Sequence, residues 1–255
     1  MENNLFIGKV RYVFDTLPST NDFLTQLLLT KSKPPEGTIA YADNQTDGRG
    51  QYGSRWYSAA GENLLLSILL YPTWLPASEQ WLLSEAMVVA VRETVEEVAQ
   101  CSAHIKWPND VYLGERKTAG LLIQCGLSGA QIQHAIVGVG LNVNQTQFPP
   151  EVPNGTSLAL ACGRAFDRNA ILEHLLRRIE QRYVQLRHGH REPIRRAYRD
   201  HLLGLGQQRR FAYPDGRFFE GTPEEVLSDG RLVVQSAQGK VVFATKELIW
   251  LMENE

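Results

Sequence analysis

Three glycines in the stretch Gln45-Thr-Asp-Gly-Arg-Gly-Gln-Tyr-Gly-Ser-Arg-Trp56 constrain this chain more than any other feature. Gly48, Gly50 and Gly53 spell G-x-G-x-x-G. In a dinucleotide-binding fold that spacing follows a strand, opens a helix, and is trailed about 20 residues later by an acidic residue that holds a ribose. Only the first condition is met. After Gly53 come Ser54-Arg55-Trp56-Tyr57, a second glycine turn at Gly61 and then Leu64-Leu-Leu-Ser-Ile-Leu-Leu70, which reads as a buried strand and not as a crossover helix. The segment is therefore a strand-loop-strand glycine loop bearing Arg49 and Arg55. Such a loop can fold over an anion, its glycines letting backbone N–H groups approach phosphate oxygens.

The rest of the chain alternates short strands with a few helices. Leu5–Phe14 reads as a strand, Pro18–Asp22 as a capping cluster opening a helix through Phe23, Leu24, Leu27 and Leu28, and Gly37–Ala42 as a second strand. Ser78–Gln100 is the longest helical pattern. Residues 104–145 turn β-like: Ile105 to Trp107, a Pro108-Asn109 turn, Val111–Leu113, a tight Gly114-Glu-Arg116 hairpin, then Ala119–Cys125 and Ile132–Val143. That hairpin puts Lys117 at the start of the returning strand. Asp167 caps one further helix and Pro193 sits in the first turn of another, which ends near Gly204. Beyond Gly204, turns at regular spacing predict a small barrel of about five strands. The expected division is residues 1–204 and 205–255.

Composition narrows the function. The 255 residues, 43% hydrophobic, suit one large soluble domain or a domain with a satellite, and a net charge of −2 argues against a dedicated nucleic-acid binder. Cys101, Cys125 and Cys162 are far apart and match no zinc spacing, so they read as buried, reduced thiols. The N-terminus has no basic segment followed by a long apolar one, and no apolar run approaches a bilayer span, which points to a reducing cytoplasm.

Four polar or glycine clusters fall at strand ends and loops, where sites are built. Ser19-Thr20-Asn21 is a helix cap, or a set of donors and hydroxyls for a polar ligand head. Arg49 and Arg55 are solvated hairpin charges, or anion ligands. Lys106-Trp-Pro-Asn-Asp110 is a turn, or a cation, an aromatic plate, an amide and a carboxylate converging on one point, the last two suited to Mg²⁺ shared with phosphates. Gly138-x-Gly140-x-Asn142 is close strand packing, or part of the same pocket. Together they favour a nucleotide-phosphate site.

Ser19-Thr-Asn, Gln45-Thr-x-Gly-Arg-Gly, Trp56, Gly61-x-Asn63, Lys106-Trp-Pro-Asn-Asp, Lys117-x-x-Gly120 and Gly138-x-Gly-x-Asn142 resemble, in order and spacing over about residues 15–145, the signature series of biotin protein ligases. The resemblance implies an α/β (α+β) catalytic domain with a mixed central sheet and flanking helices, like the class II aminoacyl-tRNA synthetases, plus a C-terminal SH3-like barrel. It implies formation of biotinyl-5′-AMP from biotin and ATP with Mg²⁺, then transfer to one lysine of the biotin carboxyl carrier domain of acetyl-CoA carboxylase or another biotin-dependent carboxylase. By similarity Ser19, Thr20, Asn21 and Gln45 would hold the biotin head, with Gly48, Arg49, Lys117 and Gly120 along the rest of that substrate. Gly50, Gln51, Gly53, Arg55, Trp56, Asn109 and Asn142 would face the adenylate. Lys117, Arg49 and Asp110 would be catalytic, and Asp110 the metal ligand.

Two departures accompany the resemblance. Gln51 stands where many members have Arg, which would weaken retention of the acyl-adenylate unless Arg55 compensates. The chain also opens directly on the catalytic segment without a helix-turn-helix, so the expectation is a ligase that binds neither DNA nor membrane, with homodimers formed by edge-to-edge sheet pairing. Lipoate-protein ligases and octanoyl transferases resemble the same fold, but the Lys-Trp-Pro-Asn-Asp cluster discriminates against them. A non-catalytic biotin or nucleotide sensor is the rival from another class.

Overall fold

A computed structural model describes residues 4–30 and 33–251. In chain order the elements are β1 (Arg11–Leu17), α1 (Thr20–Leu28), β2 (Ile39–Gln45), β3 (Leu64–Leu70), α2 (Gln80–Ala99), β4 (Ala103–Lys106), β5 (Asp110–Leu113), β6 (Arg116–Ser128), β7 (Gln131–Leu141), α3 (Leu158–Cys162), α4 (Arg168–Arg187) and α5 (Arg191–Asp200). They are followed by β8 (Arg209–Ala212), β9 (Phe218–Val226), β10 (Leu232–Ser236), β11 (Gly239–Phe243) and β12 (Ile249–Trp250). The first seven strands form one mixed sheet in the order β1-β2-β3-β7-β6-β5-β4. Only the β1–β2 pair is parallel. The last five form an antiparallel sheet, β11-β10-β9-β8-β12. No helix among the described residues is long and apolar enough to cross a membrane.

The main sheet is covered unequally. On one face α2, buried along most of its length, packs between the sheet and helices α4 and α5, and the main core gathers there. On the other face the one α-helix among the described residues is the short α1, with Leu24 resting on Ala40, Leu69 and Ile136. The uncovered remainder of this second face, beyond the N-terminus of α1, is where a cavity can form. Ser19 starts α1 by accepting the Asp22 N–H, and Asp167 starts α4 by accepting those of Asn169 and Ala170, so both caps act where the sequence put them.

Two expectations need correction, and one element was not anticipated. The first strand begins at Arg11, not Leu5, because the backbone N–H groups of Leu5, Phe6 and Ile7 all donate to the buried carboxylate of Glu180 on α4, at 2.6, 2.8 and 2.8 Å. A backbone whose donors converge on one side chain cannot also run a ladder. The three cysteines are free but not buried: Cys101 is exposed and the others are half-buried. Cys101 follows Gln100, whose left-handed backbone (φ 55°) ends α2 and turns the chain outward. Helix α3 was not foreseen, being only one turn long with Ser157 capping Leu160.

Candidate active site

A cavity of about 190 Å³ opens on the α1 face of the main sheet, over β6 and β7. Glycines make its floor. A Cβ at Gly138 would come within 2.3 Å of the Asn21 Oδ1, and one at Gly140 within 2.4 Å of the Trp56 indole. Gly120, cross-strand from Gly140, lies beneath Trp56, Asp110 and Lys117. The alternation that would place side chains at these positions is thus spent on letting Asn21 and Trp56 lie directly on the sheet.

At one end the cavity is walled by side chains already hydrogen-bonded to one another. Thr20 donates its backbone N–H to Gln45 Oε1 at 2.7 Å, and its hydroxyl lies 3.1 Å from the same oxygen. The hydroxyl of Ser67 on β3 sits 2.7 Å from Thr20 Oγ1 and 2.5 Å from Asn21 Oδ1. Asn21 Nδ2 in turn donates to Gln124 Oε1 at 2.9 Å and to the Leu122 carbonyl at 3.4 Å. Ser19, Thr20, Asn21 and Ser67 are all buried.

At the other end stands an ion pair. Lys117 Nζ lies 2.7 Å from Asp110 Oδ2 and 5.6 Å from the centre of the Trp56 ring. A β-bulge puts it there. Val111 pairs with Ala119 and Tyr112 with Lys117, so Thr118 is an extra residue on β6. Lys117 and Gly120 are an odd number of positions apart and in a regular strand would face opposite sides; the bulge turns both to the side of Asp110. The backbone of Lys117, released from the ladder there, donates to the Asn154 carbonyl and accepts from the Thr156 N–H. Asn109, next to Asp110, is held by its donation to the Leu121 carbonyl.

The glycine loop closes over the third side as a small hairpin: Trp56 N–H donates to the Gly48 carbonyl at 2.9 Å and Gly50 N–H to that of Ser54 at 2.7 Å. Its cations are engaged locally. Arg49 pairs with Asp22 Oδ2 at 2.9 Å and more loosely with Asp47 at 3.7 Å. Arg55 donates to the Thr46 carbonyl at 2.8 Å.

Of the residues singled out from the sequence, Ser19, Thr20, Asn21, Gln45, Arg49, Gly50, Gln51, Arg55, Trp56, Asn109, Asp110, Lys117 and Gly120 line this one cavity. Gly48, Gly53 and Asn142 do not, and of the Lys106–Asp110 cluster the cation and the aromatic plate turn away: Lys106 Nζ lies 3.3 Å from the Trp250 carbonyl and the buried Trp107 donates its Nε1–H to that of Gly230 at 2.8 Å. Gly48 and Gly53 serve the hairpin itself, Gly53 with φ 80°. Asn142 is buried, donating to the Thr156 carbonyl at 2.9 Å, and its Oδ1 has no partner among the described residues. Two more buried polar atoms lack partners nearby: Thr118 Oγ1, whose carbonyl accepts the Asn142 N–H, and Trp56 Nε1, lying over Gly140. Sequence reasoning missed the wall residues Leu66, Leu121, Leu122 and Val139, and with them Ser67 and Gln124. A single serine inside Leu64-Leu-Leu-Ser-Ile-Leu-Leu70 was the available signal.

The site is thus a glycine-floored pocket on a mixed sheet, with one lysine–carboxylate pair at one end and a glycine hairpin closing over it. The profile of the Biotin/lipoate A/B protein ligase family matches residues 13–142. The bifunctional ligase/repressor BirA of Bacillus subtilis is 34% identical over 248 residues, covering 95% of this chain and 75% of that protein. A biotin–(acetyl-CoA-carboxylase) ligase of Mycobacterium tuberculosis is 31% identical over 220 residues, 85% of this chain and 80% of its own. The structure of the biotin protein ligase from Aquifex aeolicus in complex with biotin and ATP superposes with a TM-score of 0.79 at 26% identity, covering 96% of this chain and all of that one (100%). The chain belongs to the Biotin/lipoate A/B protein ligase family.

Proposed function

We propose that this protein is an ATP-dependent biotin–protein ligase, which makes biotinyl-5′-AMP and passes the biotin to a lysine of a biotin carboxyl carrier domain. The observation that carries this reading is the Lys117–Asp110 pair, set between a satisfied hydrogen-bonding pocket and a glycine hairpin. Relatives named as biotin ligases, and a structural neighbour described with biotin and ATP, support it.

In the first step a carboxylate oxygen of biotin attacks the α-phosphorus of ATP and pyrophosphate leaves with the bonding electrons. Ser19, Thr20, Asn21 and Gln45 hold the ureido head. Lys117 offsets the negative charge that gathers where two anions meet, a matter of position and field more than of covalent chemistry. Arg49 and the loop N–H groups from Gly48 to Gly53 close over the α-phosphate, for which Arg49 exchanges its partner Asp22 for the anion. Trp56, which lines the cavity over Gly140 with its Nε1 unpartnered among the described residues, offers an aromatic face and a donor, which fits a purine entering beside it.

Among the described residues no three His, Cys, Asp or Glu side chains come together to hold a metal ion. That donor set fits Mg²⁺ held mainly by nucleotide phosphates and water with Asp110 as the one protein carboxylate, where the ion would screen phosphate charge. In the second step the acceptor amine, its proton taken by Asp110, attacks the acyl carbon and AMP leaves.

The test mixes protein, biotin, ATP and Mg²⁺ without any carrier and looks by mass spectrometry for biotinyl-AMP and pyrophosphate. Their formation supports the ligase. Biotin binding without adenylate favours a sensor, and adenylation of lipoate in place of biotin moves the chain to the lipoyl branch of the family.

A further inference from the structure

The row of side chains under the head pocket has a direction, and backbone groups at both ends fix it. At one end the Leu122 carbonyl, which can only accept, takes a proton from Asn21 Nδ2. Asn21 Oδ1 therefore points at Ser67, and the 2.5 Å contact requires the Ser67 hydroxyl to donate into it. With its single proton spent, Ser67 Oγ can meet Thr20 Oγ1 at 2.7 Å only as acceptor, so Thr20 is the donor of that pair and its 3.1 Å contact with Gln45 Oε1 is made without a proton. At the other end the Thr20 N–H, which can only donate, holds Gln45 Oε1 inward. The Gln45 amide must then turn its Nε2 outward, and no partner among the described residues takes it.

We propose that Ser67 and Gln124 are positioning residues that polarise this relay, so that the cavity presents an acceptor, Thr20 Oγ1, beside a donor, Gln45 Nε2. That pair complements a ligand head carrying an N–H next to a C=O, as in a cyclic urea, and offers nothing to a dithiolane. Ser67 acts from beneath the wall: it is fully buried and touches the cavity only through Thr20 and Asn21. Gln124 acts from the outer surface, holding Asn21 in the orientation that starts the chain of donors. The inference rests on the biotin-ligase reading and adds the device that would make the head site selective. In place of a hydroxyl free to rotate, the ligand meets one whose lone pairs already face it, which lowers the cost of ordering on binding.

The test measures biotin and ATP affinities by titration calorimetry, and KM and kcat for adenylate formation, in wild-type protein, Ser67→Ala, Gln124→Ala and the double variant. Ser67→Ala is expected to weaken biotin roughly tenfold, about what one buried hydrogen bond is worth, with KM for ATP and kcat at saturating biotin changed less than about twofold. Gln124→Ala, at an exposed site that leaves folding intact and the Leu122 carbonyl in place, is expected to weaken biotin roughly threefold. In the double variant the second loss should vanish, since the relay through which Gln124 acts is already cut. Additive losses, a Gln124→Ala variant identical to wild type, or equal losses in biotin and ATP would each overturn the inference while leaving the ligase reading intact. Wild-type protein that binds no biotin overturns both.

Discussion

The two ends of the cavity are built on opposite principles. At the head pocket, five side chains from α1, β2, β3 and β6 satisfy one another before any ligand arrives, four of them lying in one unbroken row of contacts. At the glycine hairpin the cations are exposed and committed elsewhere: Arg49 is about half exposed (49%) and paired to Asp22. The first end is organised by folding. On the proposed reading the second is organised by what it binds, because a ligand anion must displace existing partners. Recognition in this chain precedes the arrangement of the chemistry, and the ion pair of Lys117 and Asp110 stands on the border between them.

The sharpest way to separate the two ends is at that border. Lys117→Ala should lower adenylate formation by about two to three orders of magnitude, the scale of losing one charge-stabilising group, while biotin affinity stays within about threefold. Pyrophosphate release and calorimetry on the same preparation check both, and a parallel collapse in biotin affinity would mean that the ends are one unit.

Next in size is a change outside both ends, which calibrates how much the scaffold contributes. Burial pushes the Glu85 carboxyl up to about 7, with the Arg195 guanidinium opposing the rise. Folded protein therefore keeps that proton to higher pH than the unfolded chain, so stability is lost as pH climbs from the unfolded carboxyl range through about 7. Glu85→Gln should gain on the order of 2–3 kcal/mol over wild type at pH 8 and nearly nothing at pH 4. Denaturant melts at the two pH values measure the difference, and biotin affinity should follow neither.

A methyl group then probes how closely Trp56 must lie on the sheet. Gly140→Ala puts a Cβ within 2.4–2.8 Å of the indole; the ring must lift, at about 1–3 kcal/mol. The expected signature is a changed tryptophan emission and a raised KM for ATP, with the head pocket unaffected.

The smallest effect concerns the hairpin itself. Trypsin should cut after Arg49 or Arg55 in free protein and be slowed by biotin with ATP, because glycine-rich backbone loses much entropy on ordering. Asp22→Ala, which frees Arg49, should speed that cleavage by about threefold, as expected for an exposed ion pair. Cleavage at one rate with and without ligands would make the two ends alike.

Legibility in the sequence follows the range of the interactions. The caps at Ser19 and Asp167, the hairpin at Gly114 and the glycine loop are local, and the structure has them where composition and spacing placed them. The Leu5–Phe14 strand failed because its competitor, Glu180, lies more than 170 residues away. Asn142 was identified from its motif but is turned into the protein, since a strand-end asparagine looks the same whichever side it faces. Ser67 read as filler in an apolar run, although it is the one residue there whose side chain has a job beyond packing. What could not be seen at all was the extra residue at Thr118, because nothing in Lys117-Thr-Ala-Gly120 marks a bulge.

That extra residue works like a shift of reading frame. The alternation of side chains before it is offset by one position from the alternation after it, so the chemistry of Lys117 depends on a count and not on a neighbour. Substituting Thr118 leaves the count alone. Deleting it would bring Lys117 to two positions before Gly120, where regular alternation keeps the amine on the side of Asp110; a strand that kept Thr118 but lost the bulge would instead send the amine through the sheet toward α2.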